Sequence, residues 1–458
     1  MTANESRGFG RIAAVYLIGL LVGGLYVGLI APLRTVIQTD MGIDNSLGIW
    51  MVNVYTLFYA ATIPTTGKLA DRLGRKRVFT WCMGIFAMGS LLCGLAQFAG
   101  GFPLLMVGRV VQAIGAGGII PVATAEMGAS APEGKRGMWL GMAAAVAGLS
   151  NVVGAAAGSG IVALVGAENW CWAFFVAVPV GLLLMVGASA WLPKREVAHE
   201  GKLDVVGSLL FTVMILSLLH TLFAVENAGL QSIRTLVPLA LFLVLLPLFR
   251  AWERRASDPI FHLEYLHNAR IVITMVVSFL VGCVIISMVL IPEFAEAALD
   301  LPLGSGGFYM AIMGIFAVVG PPVGGKIIDR HGAKPVLIGG LGVMAIGFAV
   351  LAFVVAPNPS VVGLVLGLAV VGLGMGFAMG TPLNYMILEN TSEEDSSSAI
   401  ATIALVRQVG TTVAPALLIS LATTGMGGVG YVPQLVAVAG INVLSLVIML
   451  FYRSPERK

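Results

Sequence analysis

A short basic stretch occurs twice in this chain, each time wedged between long apolar runs. Gly67–Phe79 reads G-K-L-A-D-R-L-G-R-K-R-V-F, with five cationic residues and one acid. Gly325–Leu337 reads G-K-I-I-D-R-H-G-A-K-P-V-L, identical to the first copy at seven of thirteen positions without a gap, at an offset of 325 − 67 = 258. An apolar run of about 20 residues spans the hydrocarbon core of a bilayer as a helix, the one single-segment structure that satisfies its own backbone there. Each copy is therefore a tight loop between two spans. Two such loops in matching surroundings imply two structurally repeated halves.

Composition points the same way. The chain is 58% hydrophobic and 11% charged, against roughly 25% charged for soluble domains. Its 58 glycines suit closely packed membrane helices. The net charge of +3 gives no sign of nucleic-acid binding, because the cations sort by membrane side. Cys82, Cys93, Cys171 and Cys283 lie in or beside apolar stretches with no metal-ligand spacing, which reads as small buried hydrophobes. The first run, about residues 12–33, is too long for a signal-peptide core and reads as a retained span.

Spans are expected near 12–35, 47–66, 78–98, 103–126, 138–164, 171–192, 204–224, 235–250, 271–293, 307–325, 335–355, 360–388, 399–422 and 433–452, fourteen in all. With both termini cytoplasmic, 22 of the 26 Lys and Arg residues fall in cytoplasmic segments, the asymmetry that sets membrane orientation. The four others are Arg34, Arg109, Arg234 and Arg407.

The first copy of the loop resembles the signature between spans two and three of the major facilitator superfamily, and the second the weaker copy between spans eight and nine. Ser257-Asp258-Pro259-Ile260-Phe261, Trp170-Cys171-Trp172-Ala173-Phe174 with Val178-Pro179-Val180-Gly181, and Arg407-Gln408-Val409-Gly410 resemble the fourteen-span drug/proton antiporter branch (EmrB/QacA type). The resemblance covers nearly the whole chain. It implies an all-α membrane protein of major facilitator fold with two six-helix bundles plus two extra spans. The expected division is 1–200 for the N-terminal bundle, 201–270 for the extra spans and cytoplasmic linker, and 271–458 for the C-terminal bundle.

Chemistry is confined to a few polar residues. There is no phosphate loop with Lys-Ser or Lys-Thr, so ATP is not the expected energy source. Asp71 sits at the inner end of the second span, where an acid can face the free N–H groups that start a helix. In the family that partner is the helix after the loop Glu393-Glu394-Asp395-Ser396-Ser397-Ser398, expected here to start near Ala399. Arg72 and Arg75 can bind carboxylates in the same layer, and Gly67 and Gly74 allow close approach and a tight turn. With Asp329 and Arg330 of the second copy they form an expected conformational latch. Arg109 and Gln112 match the family's fourth-span pattern Arg-x-x-Gln-x-x-Gly, whose arginine is implicated in proton coupling. An arginine inside a span needs a polar partner. Arg407 and Gln408 read as a similar buried pair.

Two departures from the family stand out. The fifth-span antiporter pattern has Gly-Pro, where this chain has Gly154-Ala155. The first-span exporter pattern has an Asp, where this chain has Tyr26. No Asp or Glu lies deep in any expected span, which leaves Glu126, Glu293, Glu296 and Glu389 as candidate proton carriers. Tyr26, Asn53, Tyr55, Tyr309, Met310, Met313, Asn384 and Tyr385 lie on spans that line the central cavity in this fold, and such surfaces suit amphipathic organic molecules. Arg34 and the pair Glu293 and Glu296, which share one helical face, form a candidate outer gate.

The expected protein is a monomeric, multi-pass carrier of the plasma or inner membrane. It is not an enzyme and uses no cofactor or metal; its partners are a small-molecule substrate, lipid and, in the antiporter reading, protons. Export of amphipathic drugs or metabolites, with or without exchange for protons, is the first expectation. An organic-anion carrier working by symport, exchange or uniport is the alternative, followed by a lipid flippase or a non-transporting receptor on the same fold.

Overall fold

A computed structural model describes residues 3–43, 45–192, 205–229, 231–255, 265, 267–285, 287–300, 307–379, 381–418, 421 and 427–454. The segment 257–261 and residues His199 and His262 lie outside the described residues. Among those described there are seventeen α-helices and no strand. The first half runs α1 (Ala3–Met41), α2 (Asn45–Leu73), α3 (Arg75–Leu95), α4 (Gly101–Ser130), α5 (Arg136–Val165), α6 (Trp172–Phe175) and α7 (Ala177–Trp191). Next come α8 (Val205–Ala228) and α9 (Ile233–Glu253). The second half runs α10 (Ala269–Ile285), α11 (Ser287–Leu299), α12 (Gly307–His331), α13 (Ala333–Val350), α14 (Val361–Ala378), α15 (Thr381–Leu388), α16 (Ser396–Leu418) and α17 (Val432–Leu450). Nine helical stretches among the described residues are long and apolar enough to cross a membrane.

Each half has its own apolar core. One is built from α1 to α7 around Tyr16, Phe79, Phe86 and Phe174. The other is built from α10 to α17 around Phe294, Leu341, Phe348 and Leu368. Leu140 of α5 and Ala125 of α4 belong to the second core, so the halves share packing. They meet along α2 against α16 and α5 against α12. The pair α8–α9 lies beside the first of these seams: Phe211, Met214 and Phe249 pack with Leu57 and Ala61 of α2 and Leu405 of α16. Thr212 hydrogen-bonds Thr65 at 3.1 Å, and His220 stacks on Trp50 at 5.5 Å. That stack gives the lone histidine of α8 a packing partner.

Helices without bulky residues can touch. In lipid there is no hydrophobic drive between them, so close contact and hydrogen bonds do the work. On α3 and α4, a Cβ on Gly89 would lie 2.2 Å from the Gln112 nitrogen, and one on Gly115 would lie 2.5 Å from that of Phe86. The loops between α2 and α3 and between α12 and α13 are each a single residue, Gly74 and Gly332. Both have positive φ, 90° and 86°, a region that L side chains rarely adopt. The repeated glycine thus has a physical cause, and both copies lie at the same end of the bundle: Arg75 bonds Glu126 near the end of α4 and Asp329 bonds Gly137 at the start of α5, which residues 131–135 join.

Candidate functional site

At that end each loop aspartate caps a helix of the other half. Asp71, in the last turn of α2, accepts from the backbone nitrogens of Ser397 (3.1 Å) and Ser398 (2.7 Å) and from the Ser398 hydroxyl (2.8 Å). Asp329, in the last turn of α12, accepts from the nitrogens of Gly137 (2.6 Å) and Met138 (3.0 Å). The first N–H groups of a helix have no partner within it, and its dipole favours a negative charge there. One acid in each half therefore satisfies a helix start in the other half. The α16 helix begins at Ser396, three residues before Ala399, because the Ser hydroxyls and the acid supply the partners that the first turn needs.

Glycine makes the approach possible. A Cβ on Gly67 would meet the Ala401 methyl at 2.6 Å and the Ser397 oxygen at 2.8 Å. At the equivalent position a Cβ on Gly325 would meet the Gly137 oxygen at 2.2 Å. Lys76 and Lys334, the next pair related by 258, each reach back within their own half. Lys76 donates to the Leu192 oxygen after α7 at 2.8 Å, and Lys334 to the oxygens of Leu450 (3.3 Å) and Tyr452 (2.7 Å) after α17. A cation placed there answers unpaired carbonyls and the negative end of the dipole.

The copies differ at one further residue. Arg75 spans the seam: Nε donates to Ser397 Oγ at 3.1 Å, Nη2 to the Glu393 oxygen at 2.9 Å and to Ser396 Oγ, and Nη1 to Glu126 Oε2 of α4 at 3.0 Å. Glu126 is buried and its other oxygen accepts from Ser130 at 2.5 Å. The offset maps Arg75 to Ala333 and Glu126 to Asn384 (126 + 258 = 384), and it holds at the element ends, since α4 ends at 130 and α15 at 388. Both members of the ion pair are therefore missing together from the second copy. Arg72 and Arg330 are also at this end, each with a partner.

Deeper in the first half, Arg109 is buried, with 1% of its surface exposed. Its Nη1 donates to Gln112 Oε1 at 2.8 Å, Nε lies 3.4 Å from the Met51 oxygen, and the guanidinium sits 4.0 Å above the Tyr55 ring. Gln112 in turn donates to Ser90 at 2.8 Å. Arg109 Nη2 and the Tyr55 hydroxyl have no partner. Arg407 and Gln408 are half-buried rather than buried. They lie on α16, which meets α2 of the other half.

The other expected residues scatter. Tyr26 donates to the Ala173 oxygen at 2.8 Å and packs edge-on against Phe86. Met313 and Asn384 are buried, whereas Asn53, Tyr309 and Tyr385 are half-buried. Tyr385 faces the Arg136 guanidinium at 5.9 Å. Glu389 follows α15 at the loop-bearing end, near Tyr452. Arg34 and Glu296 are half-buried; the side chains of Glu293 and Met310 lie outside the described residues. No cluster of three or more His, Cys, Asp or Glu among the described residues could hold a metal ion.

Sequence reasoning missed three of these contacts: the acceptance of the α5 start by Asp329, the Arg75–Glu126 pair, and the two lysine caps. The offset of 258 carried a signal for the first and last, because it pairs Asp71 with Asp329 and Lys76 with Lys334. Nothing in the sequence signalled Glu126 as the partner of Arg75.

A family model described as Major Facilitator Superfamily matches residues 15–415 and, again, 271–458. A multidrug resistance protein B homolog of Mycobacterium tuberculosis (strain ATCC 25618 / H37Rv) is 29% identical over 426 residues, covering 91% of this chain and 76% of that protein. The riboflavin transporter RibZ of Clostridioides difficile (strain 630) is 26% identical over 405 residues, covering 87% of this chain and 85% of its own length. The crystal structure of the human organic anion transporter MFSD10 (TETRAN) superposes with a TM-score of 0.67, covering 96% of this chain and 99% of that one. At 15% identity, that likeness is one of fold alone.

Proposed function

Since the chain belongs to the major facilitator superfamily, whose members are membrane transporters and not enzymes, we propose that it is a secondary active carrier that exports amphipathic drugs or metabolites by alternating access. The reading extends to a fourteen-span protein of the drug/proton antiporter type in the cell membrane, with both termini cytoplasmic. In it two six-helix bundles, 1–200 and 271–458, rock about a midplane site, with the extra pair and linker (201–270) between them, in a monomer.

One observation carries the mechanism: the crossed caps of Asp71 on α16 and Asp329 on α5. A contact made only between halves, by charged groups at helix ends, contributes to one state of a rocking pair and not to the other. Differential contact of this kind can bias a two-state equilibrium. In this reading the loop-bearing end is cytoplasmic, and breaking both caps opens the cavity inward. The relatives named for multidrug resistance and for riboflavin support an amphipathic cargo.

Proteoliposomes loaded with ethidium or riboflavin, with and without an imposed pH gradient, test the reading. Movement of either compound against its gradient, lost in Asp71→Asn, is the expected result. If neither moves in either condition, the carrier reading fails for this cargo class. Where a proton gradient drives export, amide substitution of Glu126, Glu293, Glu296 and Glu389 together should remove the pH dependence. Export that stays gradient-driven in that variant places the proton on another group.

A further inference from the structure

The pair α8–α9 stands apart from the two repeated halves, yet it touches both. Gly207, Phe211, Met214, Ile215 and Leu219 recur at helical spacing and give α8 one buried face. The Phe249 ring of α9 lies 5.2 Å from that of Phe211, which ties α8 and α9 into one unit.

Toward α2 the unit is held at two heights. Thr212 hydrogen-bonds Thr65 at 3.1 Å, and the His220 ring stacks on Trp50 with centroids 5.5 Å apart and planes at 27°. Thr65 and Trp50 are fifteen residues apart (65 − 50 = 15), about 22 Å of helix. Two directional contacts so far apart hold α8 against both sliding and turning on α2. Between them Leu57, Ala60 and Ala61 of α2 are buried against Phe211, Met214 and Ile215.

Toward α16 the same cluster takes in Leu405 and the partly buried Val409. Leu405 lies one turn beyond Ala401, where Gly67 closes on α16, and two turns beyond Ser397, which Asp71 caps. This contact is apolar and has no preferred direction. A single helix therefore bridges the seam just outward of the caps, pinned to α2 and packed against α16.

Resting on the carrier reading, we propose that α8–α9 is a brace that travels with the first half, and that α8 holds α16 only while the loop-bearing end is closed. When the Asp71 cap breaks and α2 parts from α16 at that end, Leu405 and Val409 leave Phe211 and Met214. The brace stays with α2, because the Thr65 and Trp50 contacts lie wholly within the moving unit. Close packing is what holds helices together in a bilayer. Packing present in one state and lost in the other biases the equilibrium between them, so the brace adds to the caps on the side of closure.

Cysteine pairs read this directly, in a chain with Cys82, Cys93, Cys171 and Cys283 replaced by Ala. Thr65→Cys with Thr212→Cys reports α8 on α2. Phe211→Cys with Leu405→Cys reports α8 on α16, and Met214→Cys with Val409→Cys is a second such pair should the first loosen the cluster. Cross-linking yield with a short bis-methanethiosulfonate is measured on the full chain in nanodiscs, with both caps intact and in Asp71→Asn with Asp329→Asn, which removes them. The 65–212 yield should be the same in both backgrounds, and the α8–α16 yields should fall at least about threefold when the caps are gone, as the closed state loses population. Equal α8–α16 yields in the two backgrounds overturn the proposal, because α16 then never leaves the brace. A parallel fall at 65–212 also overturns it, because α8 is then not carried by α2.

Transport of ethidium or riboflavin in proteoliposomes gives a second readout. The 65–212 cross-link should leave the rate within about twofold of the reduced form, whereas a cross-link to α16 holds the loop-bearing end closed and stops transport until a reductant restores it. Undiminished transport with α8 cross-linked to α16 overturns the brace while the carrier reading stands. If neither compound moves in the reduced, otherwise wild-type chain, the carrier reading falls for this cargo, and the cross-linking yields still decide the brace.

Discussion

The two copies of the loop run through the same backbone but close the seam with unequal strength. Both have a glycine of positive φ, an aspartate on the opposite half's helix start and a lysine on the last carbonyls of its own half. Only the first adds Arg75, which joins Ser396, Ser397, the Glu393 carbonyl and Glu126 into one cluster. In the second copy Ala333 and Asn384 stand in their place. Shared features follow from what a one-residue turn and an uncapped helix need. The unshared ion pair shows that symmetry of fold does not require symmetry of energy. If the halves rock, the α2–α16 contact is the stronger restraint and the α5–α12 contact the one that yields first.

The largest expected effect comes from Asp71→Asn. It removes a carboxylate that accepts three hydrogen bonds, and a charged hydrogen bond is worth about 1.5–3 kcal/mol. Transport should fall by about tenfold or more, with membrane levels near wild type because no core contact is lost. Asp329→Asn should cost less, about three- to fivefold by the same scale. Equal losses in the two variants, measured as initial rates in proteoliposomes, would break the comparison.

Glycine substitution should reverse the ranking. Gly325→Ala pushes a methyl to 2.2 Å from a backbone oxygen, whereas Gly67→Ala meets first another methyl at 2.6 Å. Backbone gives way less than a side chain, and overpacking costs about 1–3 kcal/mol. Spin labels across the seam should report a wider loop-bearing end in Gly325→Ala than in Gly67→Ala. A wider opening in Gly67→Ala would show that the contact at Ala401 and Ser397 absorbs a methyl less readily than the backbone contact at Gly137.

Installing the missing pair sharpens the contrast further. The double variant Ala333→Arg with Asn384→Glu should place a guanidinium and a carboxylate where Arg75 and Glu126 stand in the first copy. If the pair forms, the loop-bearing end stays closed longer and the rate drops a few-fold, on the scale of about 1 kcal/mol for a partly screened pair. A single Ala333→Arg that slows transport as much as the double variant would show that the carboxylate is not needed.

The smallest effect belongs to the lysines. Lys76→Met and Lys334→Met each remove a cap made within one half, worth about 0.3–1 kcal/mol. Melting temperature should fall by a degree or two, and rates should stay within twofold. Lys334 makes two such bonds and Lys76 one, so Lys334→Met should lose more. A rate loss as large as that of Asp71→Asn would mean that these contacts take part in the rocking after all.

Much of this was legible before any coordinates. An acid at the end of a span can face the free N–H groups of a helix start, and the family resemblance points Asp71 to the helix after Glu393–Ser398. Arg109 and Gln112 were paired because a span cannot hold an unsatisfied guanidinium. Other residues were less legible. Tyr26 was grouped with the cavity by its span, but its hydroxyl turns to the Ala173 carbonyl.

The apolar runs, the duplicated loop and the cation count are properties of chain order, and they determine helices, repeats and the family, since water and lipid act on each segment alone. Which half's helix start faces which acid, and that Arg75 reaches Glu126, depend on residues 51 to 327 positions apart in the chain. Tertiary packing alone brings them together, because hydrogen bonds and charges act over a few ångströms and chain order does not record which distant segments come that close.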